Sequence, residues 1–173
     1  MKKFKGFTLI ELIVVIAIIG VLAAILVPAM MGWVVRSRIT TYNNNASEIC
    51  SQMQITMTDL STGSDGFILN DYVVVCNNGS ISTTPAISDT DVLDRIADIN
   101  NNLTDVSNVD WAVKIEDSIV RGVALSGNNC SNVGGFPVQC PSAKDYKMLA
   151  GSSIEDYLDC AQGTEDWADK KIS

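Results

Sequence analysis

Glu11 is the residue whose position most clearly implies chemistry. It is the single charged side chain between Phe7 and Val35, in a stretch that is otherwise almost wholly apolar. A carboxylate at membrane depth costs roughly 2.5–3.5 kcal/mol, so it usually has a partner. Cleavage of the chain after Gly6 would supply one, because the new α-amino group of Phe7 would be positive at neutral pH and would lie four residues before Glu11.

The segment that must position Glu11 is an uncharged run of 20 residues from Leu12 to Met31. As a helix it would be about 30 Å long, which is the thickness of a bilayer's hydrocarbon core. A secretory signal peptide would have an apolar core of about 7–15 residues and a small-x-small cleavage site, so this run is too long. A plain signal anchor explains the length of the run and the lysines that precede it, which are Lys2, Lys3 and Lys5. It gives Glu11 no partner.

The string K-G-F-T-L-I-E at residues 5–11, followed by an uncharged run that contains Gly20 and Pro28, resembles the N-terminus of a class III prepilin. These precursors give the type IV pilins and the related pseudopilins. The resemblance implies that a prepilin peptidase cuts between Gly6 and Phe7 and methylates the new Phe7 amine, which keeps its charge. It also implies that Glu11 pairs with the Phe7 amine of a neighbouring subunit during assembly.

Composition argues against several other functions. The formal charge is −8, and removal of residues 1–6 would leave nine basic against 20 acidic side chains, a charge of −11. Such a surface disfavours broad binding to nucleic acid or anionic lipid. The chain has no histidine, and its five cysteines show no C-x-x-C spacing. We find no G-x-S-x-G, P-loop or Rossmann fingerprint, so we predict no enzyme, no metal site and no cofactor.

The five cysteines allow at most two disulfides outside the cytoplasm. A Cys130–Cys140 bridge would close a short Gly-rich loop, whereas a bridge from Cys160 would pin the C-terminal segment. The resemblance favours such a pin, because many pilins staple a C-terminal loop to the sheet. Cys76 is the fourth candidate for pairing, and Cys50, on the long helix, is the candidate for an unpaired thiol.

Gly20 and Pro28 are the candidate kink positions of the apolar helix. Pro28 has no N–H for the carbonyl of Ala24, and its ring crowds that turn. A tolerated kink of this kind is common in membrane helices. A compatible hypothesis is that the segment bends or locally melts when subunits pack in a filament.

Beyond Met31 the pattern predicts that the helix continues to about residue 60, for a total of roughly 50 residues. Eight apolar side chains recur on one face, and the seven intervals between them span 25 residues, close to the helical period of 3.6. They are Val35, Ile39, Tyr42, Ala46, Ile49, Met53, Met57 and Leu60. Polar side chains, Asn43 among them, are assigned mainly to the rest of the helix surface. Residues 61–63 (Ser-Thr-Gly) supply a stop.

The remaining chain predicts strands with one short helix between them. At residues 109–116, Val109 and every second residue after it are apolar, which predicts a strand with one buried face and with Ala112 on the other face. Further strands are predicted at 71–76, which ends at an Asn-Asn-Gly turn, and at 119–125. A third strand is predicted at 136–140, where Pro137 within it and Pro141 after it indicate an edge strand.

Two short helices complete the predicted head. One opens at Ser88, with Asp91 as a weak capping box, and its apolar face is Val92, Ile96, Ile99 and Leu103. Its acidic residues do not match an EF-hand loop, so we interpret them as a solvated face: Asp89, Asp91, Asp94 and Asp98. The other helix is amphipathic and covers residues 154–160.

The sequence therefore predicts an α+β protein, in which a long N-terminal helix packs under a small antiparallel sheet of three or four strands, the pilin fold. The expected parts are a leader (1–6), a transmembrane and filament-core half of the helix (7–35), its amphipathic half (36–62) and a globular head (63–173). Gly6 and Phe7 mark the cleavage site.

The resemblance implies a structural subunit that is made as a bacterial inner-membrane precursor and polymerises with copies of itself into a surface pilus, for adhesion, motility or related functions. Its partners would be the prepilin peptidase and an inner-membrane assembly platform. Two alternatives remain open. One is a pseudopilin of a type II secretion or competence system, and the other is a signal-anchored extracellular binding domain.

Overall fold

A computed structural model describes residues 7–63, 66, 68–102, 109–127, 132–141 and 152–170. The chain divides into two compact units, residues 1–34 and residues 35–173. A single helix, α1 (Leu9–Thr62), supplies most of the first unit and the first element of the second. Its length of 54 residues confirms the predicted long helix. Gly63 ends it, where its N–H donates to the carbonyl of Asp59 at 3.0 Å.

The half of α1 that lies in the second unit presents the predicted apolar stripe. Its buried residues follow the helical period: Ile39, Asn43, Ala46, Ile49, Met53 and Met57. The assignment of Asn43 to the outer surface was wrong, because this side chain is 5% exposed and lies on the packed face. An amide can occupy that face because its hydrogen bonds are made inside the protein.

Five antiparallel strands form one sheet in the order β2-β1-β3-β4-β5. They are β1 (Tyr72–Asn77), β2 (Ser80–Thr84), β3 (Val109–Glu116), β4 (Ile119–Gly127) and β5 (Val133–Phe136). The predicted count of three or four was too low, because β2 is short, polar and lies at an edge, where no hydrophobic alternation marks it. The edge strand predicted at 136–140 was misplaced. The edge strand β5 covers Val133–Phe136 and ends before Pro137, because proline has no N–H to donate to the ladder.

Two tight turns set the hairpins of this sheet. Asn78 and Gly79 both have positive φ, at 50° and 79°, between β1 and β2. Asp117 and Ser118, at 53° and 60°, do the same between β3 and β4. Two central residues with positive φ match the right-handed twist of the strands that they join.

The sheet is covered on both faces. One face packs on α1 and on α2 (Thr90–Asn102), and we call this the helix-side core: it includes Met53, Met57, Val74, Ile96, Trp111, Val113 and Leu125. The other face packs on the C-terminal segment, and we call this the C-terminal core: it includes Ile39, Val75, Ala112, Ala124, Cys140, Tyr157, Cys160, Ala161 and Trp167. Placing Ala112 on an uncovered face was therefore wrong.

The two predicted short helices are present, with changed ends. Asp89, not Ser88, caps α2, because its Oδ1 accepts from the N–H groups of Asp91 at 3.0 Å and Val92 at 3.4 Å. Leu103, assigned to its apolar face, lies outside the described residues. The C-terminal segment comprises a 3₁₀ turn (Glu155–Tyr157), α3 (Leu158–Gln162) and a second 3₁₀ turn (Trp167–Lys170).

Candidate functional site

Glu11 is held at the start of α1 by Thr8. The backbone N–H and the hydroxyl of Thr8 both donate to Glu11 Oε2, at 2.9 and 2.6 Å, and the Glu11 N–H donates back to Thr8 Oγ1 at 3.4 Å. This reciprocal pattern is a capping box, and its signal, T-x-x-E just before an apolar run, was present in the sequence but missed. Because both bonds from Thr8 end on Oε2, the second carboxylate oxygen suits a further donor such as an amine.

Phe7 and the residues after it form an apolar surface that the described part of the chain leaves exposed. The Phe7 side chain is 80% exposed, and every large apolar side chain from there to Val34 is exposed as well. By length and composition α1 contains a segment long and apolar enough to cross a membrane. Gly6, the predicted residue before the cleavage site, lies outside the described residues, so the cleavage and methylation sites stay predictions.

The candidate kink positions both lie within α1. Pro28 is inside the helix, which runs unbroken from Leu9 to Thr62. A Cβ added at Gly20 would meet no atom within 4 Å, so packing within the subunit does not require glycine there. A bend in the filament remains a prediction for both positions.

Four of the five cysteines lie in the described part of the chain, where all four are free thiols. Cys50 is half-buried on α1, and Cys76 is buried in the helix-side core. Cys140 and Cys160 are buried together in the C-terminal core, beside a hydrogen bond of 3.0 Å from the Val138 N–H to the Ala161 carbonyl. Cys130 lies outside the described residues.

Burial keeps the two thiols of the C-terminal core protonated. It raises the pKa of Cys140 to about 12 from an ordinary value of 9.0, and the neighbouring Cys160 thiol adds to this rise. Burial also raises the pKa of Cys160 to about 11, while the Lys170 ammonium works in the opposite direction. In the reduced protein these cysteines are therefore weak nucleophiles at neutral pH.

Asn43 joins α1 to the segment around β5. Its Oδ1 accepts from the N–H groups of Gly135 at 2.9 Å and Cys140 at 3.1 Å, and its Nδ2 donates to the Cys140 carbonyl at 2.8 Å. All three bonds are buried, so they satisfy backbone groups that water cannot reach. The sequence held no signal for this role, because an asparagine on a helix is most often exposed.

Gln54 makes an equivalent connection eleven residues later, about three helical turns along α1. Its Nε2 donates to the Ser118 carbonyl at 3.1 Å, and the Val120 N–H donates to its Oε1 at 2.9 Å. It therefore binds the β3–β4 turn at Ser118 and the start of β4 at Val120. Asn43 and Gln54 together hold the helix against two separate parts of the sheet.

Two glycines of β5 allow close packing on its two faces. A Cβ on Gly134 would lie 2.4 Å from the Tyr42 carbonyl carbon and 2.6 Å from the Asn43 nitrogen. A Cβ on Gly135 would lie 2.5 Å from Cζ2 of Trp167. Gly135 also completes a row of small residues across the sheet, paired in the order Val75, Ala112, Ala124 and Gly135, on which the C-terminal segment rests.

No group of three or more histidine, cysteine or acidic residues that could hold a metal ion occurs in the described ranges. The acidic residues of α2 that were predicted to face solvent include Asp91, Asp94 and Asp98, and all three are exposed.

These features define the pilin class of α+β subunit: one long α-helix, exposed and apolar at its start around a capped carboxylate, whose later stripe packs on an antiparallel sheet. A sequence profile of the prokaryotic N-terminal methylation motif matches residues 1–27. The fimbrial protein EcpC of Eikenella corrodens is 31% identical over 155 residues, which cover 86% of this chain and 89% of EcpC. No solved structure matches the chain.

The chain belongs to the type IV pilin family, because its similarity to EcpC extends over most of both proteins. The type IV major fimbrial protein FimA of Dichelobacter nodosus is 39% identical over 64 residues, and a fimbrial protein of Pseudomonas aeruginosa is 55% identical over 40. The chain spans only 41% and 26% of the length of these two relatives. All three are fimbrial proteins rather than enzymes.

Proposed function

We propose that this protein is the subunit of a type IV pilus, made as an inner-membrane precursor and polymerised with copies of itself into a surface filament. A prepilin peptidase removes residues 1–6 by cutting between Gly6 and Phe7, and the Phe7 amine is methylated. Residues 7–35 then span the membrane and later form the filament core. Residues 36–62 support the globular head, residues 63–173, which makes the outer surface for adhesion or motility.

The observation that carries this proposal is the uncovered apolar surface between Phe7 and Val34. Exposed apolar area costs roughly 25 cal/mol per Å², so a helix with this surface must be covered by lipid or by other proteins. An inner-membrane assembly platform would transfer it from lipid to neighbouring subunits. Both environments are apolar, so the helix can pass from one to the other without exposure to water.

Glu11 supplies the recognition between neighbours in this proposal. Its carboxylate is the single charge of the apolar segment, and Thr8 already fixes its position. The methylated Phe7 amine of an adjacent subunit would neutralise it inside the filament. A subunit that added out of register would leave this charge buried without a partner, which costs several kcal/mol.

We further propose that Cys140 and Cys160 form the disulfide that pins the C-terminal segment in the mature protein. Both thiols lie in the C-terminal core, and a hydrogen bond joins Val138, two residues before Cys140, to Ala161, the residue after Cys160. Cys76 is packed in the helix-side core on the opposite face of the sheet, which makes it a poor partner for either one. An extracytoplasmic oxidant would accept the two electrons and two protons that the thiols lose.

The test is mass spectrometry of filaments sheared from cells and of the matching membrane fraction. We expect abundant chains that begin at methylated Phe7 in the sheared fraction, with a peptide in which Cys140 is linked to Cys160. A variant with a bulky residue, Gly6→Val, should accumulate at full length in the membrane. Chains that keep residues 1–6 in both fractions would contradict the proposal and indicate a signal-anchored protein.

The same experiment separates a pilus from a pseudopilus. A pseudopilin of a secretion or competence system would be processed at the same position, but its chains would stay in the membrane fraction. The fimbrial relatives favour the pilus, since each is named for a surface filament.

A further inference from the structure

Trp33 differs from the other two tryptophans of the chain. Trp111 and Trp167 are 0% and 3% exposed, and their indole N–H groups donate to Asn100 Oδ1 at 3.4 Å and to the Val138 carbonyl at 3.1 Å. Trp33 is 77% exposed, and within the described residues its indole finds no protein acceptor. The described part of the subunit thus leaves most of this large aromatic side chain uncovered.

The position of Trp33 in the sequence matches the edge of a bilayer. Trp33 lies near the end of the uncharged stretch that follows Glu11, and the first basic side chain, Arg36, comes three residues after it. Tryptophan is enriched at membrane–water interfaces, because its ring packs against the acyl chains while its N–H reaches polar groups of the lipid. We propose that Trp33 is the outer interfacial anchor of the membrane-inserted subunit, in contact with the headgroup–acyl boundary of the bilayer.

This anchor would also set the depth of Glu11. The two residues are separated by 22 positions in one helix, or about 33 Å. Even at an average tilt of about 20° the separation along the bilayer normal would be about 31 Å. The hydrocarbon core is about 30 Å thick, so with Trp33 at the outer boundary, Glu11 lies at the inner one.

A carboxylate at that boundary reaches water and lipid headgroups, so it needs no protein partner while the subunit is in the membrane. The need for a partner arises when the helix leaves the bilayer and Glu11 enters the filament core. Trp33 is therefore a positioning residue for Glu11, and this inference rests on the membrane stage of the proposed function.

The test is depth-dependent fluorescence quenching of the full chain in vesicles of phosphatidylcholine and phosphatidylglycerol. The acyl chains carry bromine near the headgroup, in the middle of the chain or near its end. The Trp33→Phe variant supplies the background, since Trp111 and Trp167 are buried in the head. We expect quenching above that background to be about twofold stronger for bromine near the headgroup than near the chain end.

A second variant calibrates the depth scale. Met30→Trp in the Trp33→Phe background moves the indole three residues along the helix, about 4.5 Å, towards the middle of the bilayer. Its strongest quenching should shift to bromine in the middle of the chain. Strongest quenching of Trp33 itself by the deepest bromine would overturn the inference, because the ring would then lie in the hydrocarbon core.

Alkaline extraction of the same vesicles separates failure of the inference from failure of the proposed function. If the chain resists extraction but Trp33 is quenched no more than the Trp33→Phe background at any depth, a second copy or another surface covers the ring and only the inference falls. If alkali removes the chain from the vesicles, both the membrane stage and the inference are wrong.

Discussion

The side chain of Asn43 accepts a hydrogen bond of 2.9 Å from the backbone N–H of Gly135, across 92 residues of sequence. It connects the long helix α1 to the edge strand that precedes the C-terminal segment. Neither residue type predicts the contact, and it depends on the close approach of backbone to backbone that Gly134 allows.

The first prediction concerns Asn43→Ala. The change leaves the Gly135 and Cys140 N–H groups and the Cys140 carbonyl buried without partners. We expect it to lower the free energy of unfolding by about 3 kcal/mol. Urea unfolding of the full chain in mild detergent, followed by tryptophan fluorescence, measures this.

Asn44→Ala is the matched control for that change, because Asn44 is the next residue of α1 and is exposed. Its effect should stay within about 0.5 kcal/mol. Equal unfolding curves for the two variants would show that the Asn43 bonds contribute nothing to stability.

The second prediction concerns Gly134→Ala. The new Cβ would lie 2.4 Å from the Tyr42 carbonyl carbon, so helix and strand must move apart. Overpacking of this kind costs about 1–3 kcal/mol. We expect the melting temperature, measured by circular dichroism, to fall by about 5 °C.

Gly20→Ala is the control for the glycine change, because an added Cβ there meets nothing within 4 Å. It lies outside the unit that unfolds in the melting transition, and alanine favours a helix. A melting temperature for Gly134→Ala as high as that of Gly20→Ala would mean that the close approach at β5 is not needed.

The third prediction separates two roles of Glu11. Glu11→Gln keeps a residue that can complete the capping box with Thr8 but removes the negative charge. Thr8→Ala removes the cap, at a cost of about 1 kcal/mol, and keeps the charge. If Glu11 acts by pairing with an amine, Glu11→Gln and Glu11→Ala will be cleaved but yield few sheared filaments.

Thr8→Ala should yield filaments close to the wild-type amount, as judged by the subunit content of the sheared fraction. Normal filament yield from the charge-removing variants would refute the pairing hypothesis. Loss of filaments in Thr8→Ala alone would assign the importance of this segment to helix capping instead.

The fourth prediction concerns pH and the reduced thiols of the C-terminal core. The pKa values of Cys140 and Cys160 are raised in the folded protein to about 12 and about 11, above the ordinary value of 9.0. The unfolded chain therefore loses these protons first, and the stability that they contribute, complete below pH 9, is lost as pH rises towards 11 and 12. Unfolding free energies of the reduced protein should fall in that window.

The double variant Cys140→Ala with Cys160→Ala corrects for every other group that titrates at high pH. Its free energy of unfolding should fall less steeply above pH 9 than that of the reduced wild type. The oxidised protein should also fall less steeply if the proposed bridge forms, since the bridged sulfurs have no proton to lose. Parallel curves for all three forms would contradict both the pKa shifts and their cause.

Much of the fold was predictable because short stretches of sequence carry its hydrophobic periodicity and its turn residues. The stripe on α1 follows the helical period, and the alternation of β3 follows the period of a strand. The turn after β1 follows from its Asn-Asn-Gly residues. Strand β2 and the true extent of β5 were not predictable in this way. Edge strands bury little, so their sequences carry no strong alternation, as in the Ser-Ile-Ser-Thr-Thr run of β2.

The candidate assembly site was predicted only in part. The lone charge of Glu11 in an apolar run is visible in sequence, and so was the T-x-x-E pattern that was overlooked. The packing of the C-terminal segment on the sheet was not visible, because it depends on a row of small residues drawn from four strands. No window of neighbouring residues contains that row.

The sequence by itself determined the class of this protein: a membrane-length helix with one carboxylate, a stripe that continues from it, and alternating strands, all of which are local patterns. The tertiary structure alone decided which polar side chains are interior. In the sequence, Asn43 and Gln54 look like surface amides. Their hydrogen-bond partners are backbone groups around β5 and the β3–β4 turn, which only the folded chain brings close to α1. The physical reason is that a buried amide is stable only where distant backbone groups complete its hydrogen bonds.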